Sequence, residues 1–186
     1  MSTIGESICG TNAKIKLREL ASSVNQIKGD VVEVGVYKGG TAKILADILV
    51  DSSIFLFDTF EGLPDTNTFD NVHAKGDFND ITYQEIVDYF NIYNNVTVHK
   101  GVFPRQNSEI LENRMFKFVH LDVDIYDSYK ECLNFFNNKI VSGGIMLFDD
   151  YGAHTCLGAK KAIDEFIEEN GYTLMIGGDF QRYIIY

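Results

Sequence analysis

Residues 30–50 read DVVEVGVYKGGTAKILADILV. The run 30–36 predicts a strand, 40–50 has helical spacing, and a glycine turn joins them. The same unit repeats outward along the chain. SIFLFD (53–58), NVTVHKG (95–101), FKFVHLDV (116–123) and GGIMLFDD (143–150) predict strands. Helices are expected over 13–24, 82–93, 126–140 and 157–170, with a weaker one near 106–114. Two last apolar runs, YTLMI and RYIIY, predict a terminal hairpin. Strands that alternate with helices need crossover connections. The expected class is therefore α/β, a mostly parallel sheet with helices on both faces and an antiparallel hairpin at its C-terminal end.

A chain of 186 residues with 45 % apolar content is long enough for one packed domain, expected to span 1–186 with an N-terminal helical segment over 1–28. No basic segment precedes an apolar one at the start, so no signal peptide is expected. No apolar run reaches the ~18 residues of a membrane span. Three cysteines, Cys9, Cys132 and Cys156, lie far apart, which predicts reduced thiols and a cytoplasmic protein. A net charge of −11 disfavours nucleic acid and anionic membranes as partners. The polar stretch EGLPDTNTFDNVHAKGDFND (61–80) is too long for an ordinary connection and is expected to be a lid, with Phe69, Phe78 and Phe103 walling a pocket. His73, His99, His120 and His154 are scattered and read as surface or packing residues. Cys156, with no histidine pairing evident, reads as structural.

Ligands of open α/β sheets bind beyond the carboxyl ends of the strands. Asp58, Asp122, Asp124, Asp149 and Asp150 all fall at that edge. Asp122 and Asp124, at spacing i, i+2, share one side of an extended chain. Two carboxylates ~4 Å apart repel by about 4 kcal/mol at an effective dielectric near 20, so a cluster needs a counter-charge or raised pKa values. An all-oxygen set suits a hard divalent ion such as Mg²⁺. The turn in EVGVYKGGT (33–41) is neither G-x-G-x-x-G nor a G-K-[ST] loop. Glu33 beside it would repel a pyrophosphate and suits a cationic end, such as the amino group of a methionine moiety. Asp58 closes the second strand 23 residues after Gly35, where an acid accepts from ribose hydroxyls.

The stretches GDVVEVGVYKGGTAKIL, LFDTFEGLP, KGVFP, LDVDIYDSYKECL, GGIMLFDDYG and CLGAKKAIDEF, running from about 29 to 166 in this order, resemble the class I S-adenosylmethionine-dependent methyltransferases. More narrowly they resemble the macrocin O-methyltransferase family, which methylates sugar hydroxyls in antibiotic biosynthesis. The resemblance implies a Rossmann-like, seven-stranded sheet with a late antiparallel strand. It implies S-adenosylmethionine as cofactor, with Glu33, Gly35, Gly39, Gly40 and Thr41 around its methionine end and Asp58 on its ribose. Tyr37, Phe60, Gly101 and Asp122 join that cofactor set. It also implies Mg²⁺ or a similar cation on Asp122, Asp149 and Asp150, and Asp124 as general base. The implied partner is a small-molecule acceptor, a sugar hydroxyl, with a homodimer or larger homo-oligomer as the assembly.

The chemistry gives the acids a purpose. A sugar hydroxyl is a very weak acid, and a model Asp has a pKa near ~3.9, so a carboxylate alone is poorly matched to that proton. A metal that holds the hydroxyl stabilises the developing alkoxide. Two rivals share part of this logic: a catechol-type O-methyltransferase acting on a phenolic diol, and a non-catalytic cofactor-binding protein. A metal-dependent glycosyltransferase would leave the glycine turn and Glu33 without a role. A haloacid dehalogenase-type phosphatase usually opens its chain with the acid pair.

Overall fold

The computed structural model describes residues 3–186; the first two residues of the expected N-terminal segment lie outside that range. The elements are α1 (Thr11–Ser23), β1 (Asp30–Val34), α2 (Gly40–Ile48), β2 (Ile54–Asp58), α3 (Tyr83–Phe90) and β3 (Val96–Lys100). A short 3₁₀ turn at Ser108–Leu111 stands where a weak helix is expected. Then come β4 (Phe116–Leu121), α4 (Tyr126–Phe136), β5 (Ile140–Phe148), α5 (Leu157–Asn170), β6 (Met175–Ile176) and β7 (Arg182–Ile185).

All seven strands form one sheet in the order β3-β2-β1-β4-β5-β7-β6. The first five run parallel; β7 is antiparallel to β5, and β6 to β7. The order reverses between β1 and β4, which opens a crevice beyond their carboxyl ends. The period of two along each strand sorts the core into two layers. Val32, Val34, Phe57, Val119 and Leu121 meet α4 and α5 through Leu133, Phe136, Ala162 and Phe166. Val31, Ile54, Leu56 and Phe118 meet α1, α2 and α3 through Leu17, Leu45 and Ile86. Each fully buried Leu or Phe of this kind contributes about 1.5–3 kcal/mol. Burial on both faces is why these strands read as continuous apolar runs rather than alternating ones.

Several boundaries differ from expectation, α2, α3 and β4 by ending two or three residues early. α4 stops at Phe136, not 140, because the chain enters β5 at Ile140, three residues earlier than expected; Gly143 and Gly144 lie inside β5 rather than opening it. β6 keeps only Met175–Ile176 of YTLMI. The stretch 61–80 has no helix or strand, yet it is tied to itself: Leu63 N–H donates to Asp77 O (2.8 Å) and Gly76 N–H to Leu63 O (2.9 Å). Its middle is pinned too. Asp70 is buried and accepts from the backbone N–H of Tyr126 (2.9 Å), the first residue of α4, whose own N-cap, Ile125, has no side chain to offer.

Candidate active site

A cleft of about 890 Å³, counting its open mouth, lies at the carboxyl edge over the β1–β4 crevice. Gly35, Tyr37, Gly40, Thr41, Asp58, Gly101, Asp122 and Asp124 line it. Leu63, Pro64 and Phe78 of the 61–80 stretch cover one side, as do Val102 and Phe103. Phe69, expected on this wall, instead packs on Tyr126 with ring centres 4.9 Å apart. Glu6, Ser7, Ile8 and Cys9 complete the lining; this pre-helical segment has no periodicity that would mark it in the sequence.

Two backbone features shape the wall. Gly35 has φ +88°, and a Cβ there would overlap the Asp122 carbonyl oxygen, so β1 and the end of β4 approach as closely as only glycine permits. Asp58 holds the turn. Its Oδ2 accepts from the N–H groups of Val36 and Tyr37 (both 2.8 Å) and its Oδ1 from Phe60 N–H (2.8 Å). A carboxylate has about four acceptor positions. Asp58 therefore keeps roughly one for a ligand, fewer than a residue devoted to ribose.

Glu33, Gly39 and Phe60, all expected around the cofactor, do not line the cleft. Gly39 caps α2 in a left-handed conformation and backs onto Phe90. Phe60 is buried against Tyr83. Glu33 is fully buried behind the turn, where Thr41 Oγ1 donates to its Oε1. Its Oε2 is buried with no partner among the described residues. An orphaned buried carboxylate oxygen is costly and fits a bound cationic group.

His120 is not a mere packing residue. It is fully buried, with Nδ1 3.1 Å from Glu33 Oε1 and Nε2 3.4 Å from Asp149 Oδ1. Burial opposes its charge, but the hydrogen bonds to Asp149 and Glu33 outweigh it and raise its pKa to about 10. One observation was available from strand pattern: His120 stands two residues before Asp122. Its partner across the sheet, Glu33, depends on the β1–β4 register.

Beyond β4 the acids converge. One carboxylate oxygen each from Asp122, Asp124 and Asp150 lies within 4.8 Å of the others. The cause is not a shared side of an extended strand. β4 ends at Leu121, and Asp124 has a left-handed φ of +59°, which turns its side chain back. Its N–H donates to Asp150 Oδ2 (3.0 Å), 2.8 Å from the Tyr129 hydroxyl. Asp149, next along the chain from β5, faces the other way. Its Oδ1 accepts from Gln181 Nε2 (2.6 Å) and its Oδ2 from the Cys9 thiol (3.4 Å). A second grouping, Cys9, Asp122 and Asp149, results, so Asp122 sits between two carboxylates that do not themselves share one cluster.

The electrostatics follow. Burial, then the charges of Asp149, Asp150 and Asp124, pushes Asp122 well above the usual carboxylate range. Burial, then Asp124 and Asp149, does the same to Asp150. Burial raises Asp124 to about 7, although the Cys156 thiol hydrogen bond opposes this. Asp149 also suffers burial, but His120 and Gln181 hold it below its ordinary value. A buried oxygen-only set that lacks a cationic side chain on Asp122 and Asp150 among the described residues fits a hard divalent cation.

Cys156, at the N-cap of α5, does have a histidine beside it. His73 Nε2 is 3.4 Å from its sulfur, brought there by the 61–80 stretch from 83 residues away.

The chain is 25 % identical over 157 residues to demethyldecarbamoylnovobiocin O-methyltransferase of Streptomyces niveus, a match over 76 % of this chain and 59 % of the relative. It is 23 % identical to mycinamicin III 3''-O-methyltransferase of Micromonospora griseorubida, over 91 % of this chain and 73 % of that protein. The chain thus spans less than two thirds of the length of the first of these relatives. Its fold matches the O-methyltransferase NovP with a TM-score of 0.85 at 23 % identity, over 97 % of this chain and 81 % of NovP. The family model for macrocin O-methyltransferase (TylF) matches residues 2–177, nearly the whole sequence, and the chain belongs to that family.

Proposed function

We propose that the protein is a metal-dependent O-methyltransferase that moves a methyl group from S-adenosylmethionine to a hydroxyl of a sugar or glycosylated small molecule. One observation carries this reading: a single cleft joins the glycine turn after β1 to Asp122 and Asp124 after β4, whose carboxylates converge with that of Asp150 behind the wall. The relatives' names support it, since they are O-methyltransferases of demethyldecarbamoylnovobiocin, of mycinamicin III and of a rhamnosyl-tetracenomycin.

In this reading the ammonium end of the cofactor sits over the glycine turn, in front of the buried Glu33 carboxylate, and the free position on Asp58 accepts from a ribose hydroxyl. Gly35 and Gly40 let the backbone approach. S-adenosylmethionine, when bound, supplies an electrophilic methyl on a sulfonium. Of the expected ion ligands Asp122, Asp149 and Asp150, the converging pair Asp122 and Asp150 would hold Mg²⁺, which supplies Lewis-acid stabilisation of a developing alkoxide, while Asp149 stays on His120 and Gln181. Asp124 takes the hydroxyl proton. An ordinary Asp is too weak a base for this work, but burial lifts Asp124 to about 7, near the pH at which a general base is most effective. The 61–80 stretch acts as the lid that excludes water.

The test is a methyl-transfer screen over sugars, glycosides and catechols, with Mg²⁺ and with excess chelator. Transfer to glycosides that chelator abolishes and Mg²⁺ restores is the expected result. Transfer to catechols alone would reassign the acceptor, and full turnover without metal would remove the cation from the mechanism.

A further inference from the structure

His73, Asp124 and Cys156 come from three separate segments, the 61–80 stretch, the turn after β4 and the N-cap of α5. Their ligand atoms form a near-equilateral triangle. His73 Nε2 to Cys156 Sγ is 3.4 Å, His73 Nε2 to Asp124 Oδ1 is 3.7 Å, and Cys156 Sγ to Asp124 Oδ1 is 3.7 Å. Zinc bonds of about 2.3 Å to sulfur and about 2.0–2.2 Å to nitrogen and oxygen, set tetrahedrally, put neighbouring ligand atoms about 3.4–3.6 Å apart. The triangle has the size of one face of that tetrahedron.

Two further features prepare the ligands. Asp77 Oδ2 lies 3.6 Å from Nδ1 of His73, on the far side of the ring from the triangle. That is just beyond hydrogen-bond distance; a small shift that closed it would fix the tautomer that leaves Nε2 free, the usual outer partner of a zinc-bound histidine. Cys156 caps the 14-residue α5, whose N-terminus favours a thiolate, but burial and the charges of Asp150 and Asp124 push the thiol up, so the metal itself has to displace the proton. Cys156 is buried, and the His73 side chain is only 11 % exposed.

The geometry points to a site for a borderline-soft divalent cation of the Zn²⁺ class, held by His73, Asp124 and Cys156 with a fourth position left to water. It is chemically distinct from the oxygen-only set of Asp122, Asp124 and Asp150, with which it shares Asp124, because nitrogen and sulfur ligands select Zn²⁺ over Mg²⁺. Coordination releases the Cys156 proton to solvent. An ion there ties the 61–80 stretch to the ends of β4 and α5 and occupies Asp124. If Asp124 is the general base proposed above, the bound ion inhibits methyl transfer; only this consequence rests on that reading.

Cobalt(II) titration of the whole chain, with Mg²⁺ present, reads the site directly. The wild type should show a thiolate-to-cobalt charge-transfer band that saturates at one equivalent and is displaced by Zn²⁺. Cys156→Ser and His73→Ala should each abolish the band, and Cys9→Ser should keep it. Asp77→Asn should weaken binding by about 10–100-fold, the usual effect of losing an outer-shell partner. His73 belongs to a surface stretch, so its variant remains informative if Cys156→Ser does not fold. Absence of the band in the wild type overturns the site. So does a band lost in Cys9→Ser and kept in Cys156→Ser, or one that survives His73→Ala at unchanged affinity. Zn²⁺ should also suppress methyl transfer in the wild type and not in His73→Ala. A saturating band from a protein that transfers no methyl group would uphold the site and sink the proposed activity instead.

Discussion

Asp58 and the acids beyond β4 occupy the same edge of one sheet, and they are built in opposite ways. Asp58 ends β2 with three backbone N–H groups on its oxygens. Its charge is stabilised locally by backbone dipoles, and it organises the turn. Asp122, Asp124 and Asp150 face one another within 4.8 Å, at a repulsion of about 3–4 kcal/mol per ionised pair at an effective dielectric near 20. Burial and mutual charge have to be met by protons or by a cation. The first acid is part of the scaffold; the second group is an unfinished site that a ligand completes.

The largest effect that would break this contrast is kinetic. Asp124→Asn keeps the side chain's shape but removes the basic oxygen, and asparagine tolerates the left-handed backbone at this position. Turnover should fall by roughly 10²–10⁴, the usual contribution of a positioned general base, with calorimetric affinity for cofactor and Mg²⁺ near native. Nearly full turnover across pH 6–9 would remove Asp124 from proton transfer. Asp58→Ala should act on the other side of the contrast. Loss of its hydrogen bonds to the turn should cost about 1–3 kcal/mol of stability in chemical denaturation, with or without cofactor. Weaker cofactor binding in a variant of unchanged stability would show that Asp58 serves the ligand rather than the scaffold.

The smallest effect is in the pH dependence of melting. The folded-state pKa values of Asp122, Asp124 and Asp150 are raised, so between the ordinary ~3.9 and about 7 the folded chain binds more protons than the unfolded one. Their contribution to stability is therefore present at low pH and lost as pH rises through that window. In chelator, the Tm of Asp124→Asn relative to wild type should climb between pH 4 and pH 8, by about 2–4 °C for each kcal/mol of relieved repulsion. Saturating Mg²⁺ should flatten the difference. A difference independent of pH would mean that the acids are not strained as described.

Much of the fold was legible because buried parallel strands are continuous apolar runs, and each ends in a visible polar break. The five parallel strands and their crossovers follow from that alone. The site was legible only where chemistry lies next to a strand end, as with Asp122 and Asp150. It failed where geometry depends on register or on long loops. Glu33 and His120 meet because β1 and β4 pair in one register. Asp149 and Asp150 part because neighbouring residues at a strand end face opposite ways. His73 and Cys156 meet through a loop with no periodicity, and Asp124 reaches the acids through a left-handed residue where an extended one was expected.

The hydrogen bond from Tyr126 to Asp70 divides the cover of the cleft in two. With its centre bolted to the start of α4, the stretch cannot swing as one flap from its ends. Its halves, 61–69 and 71–80, are clasped to each other where Leu63 meets Gly76 and Asp77, and the second carries Phe78 and His73. Access to the cleft from this side thus requires the Leu63 clasp to open as well as the Asp70 pin, so the cover works as a two-point latch rather than a hinge.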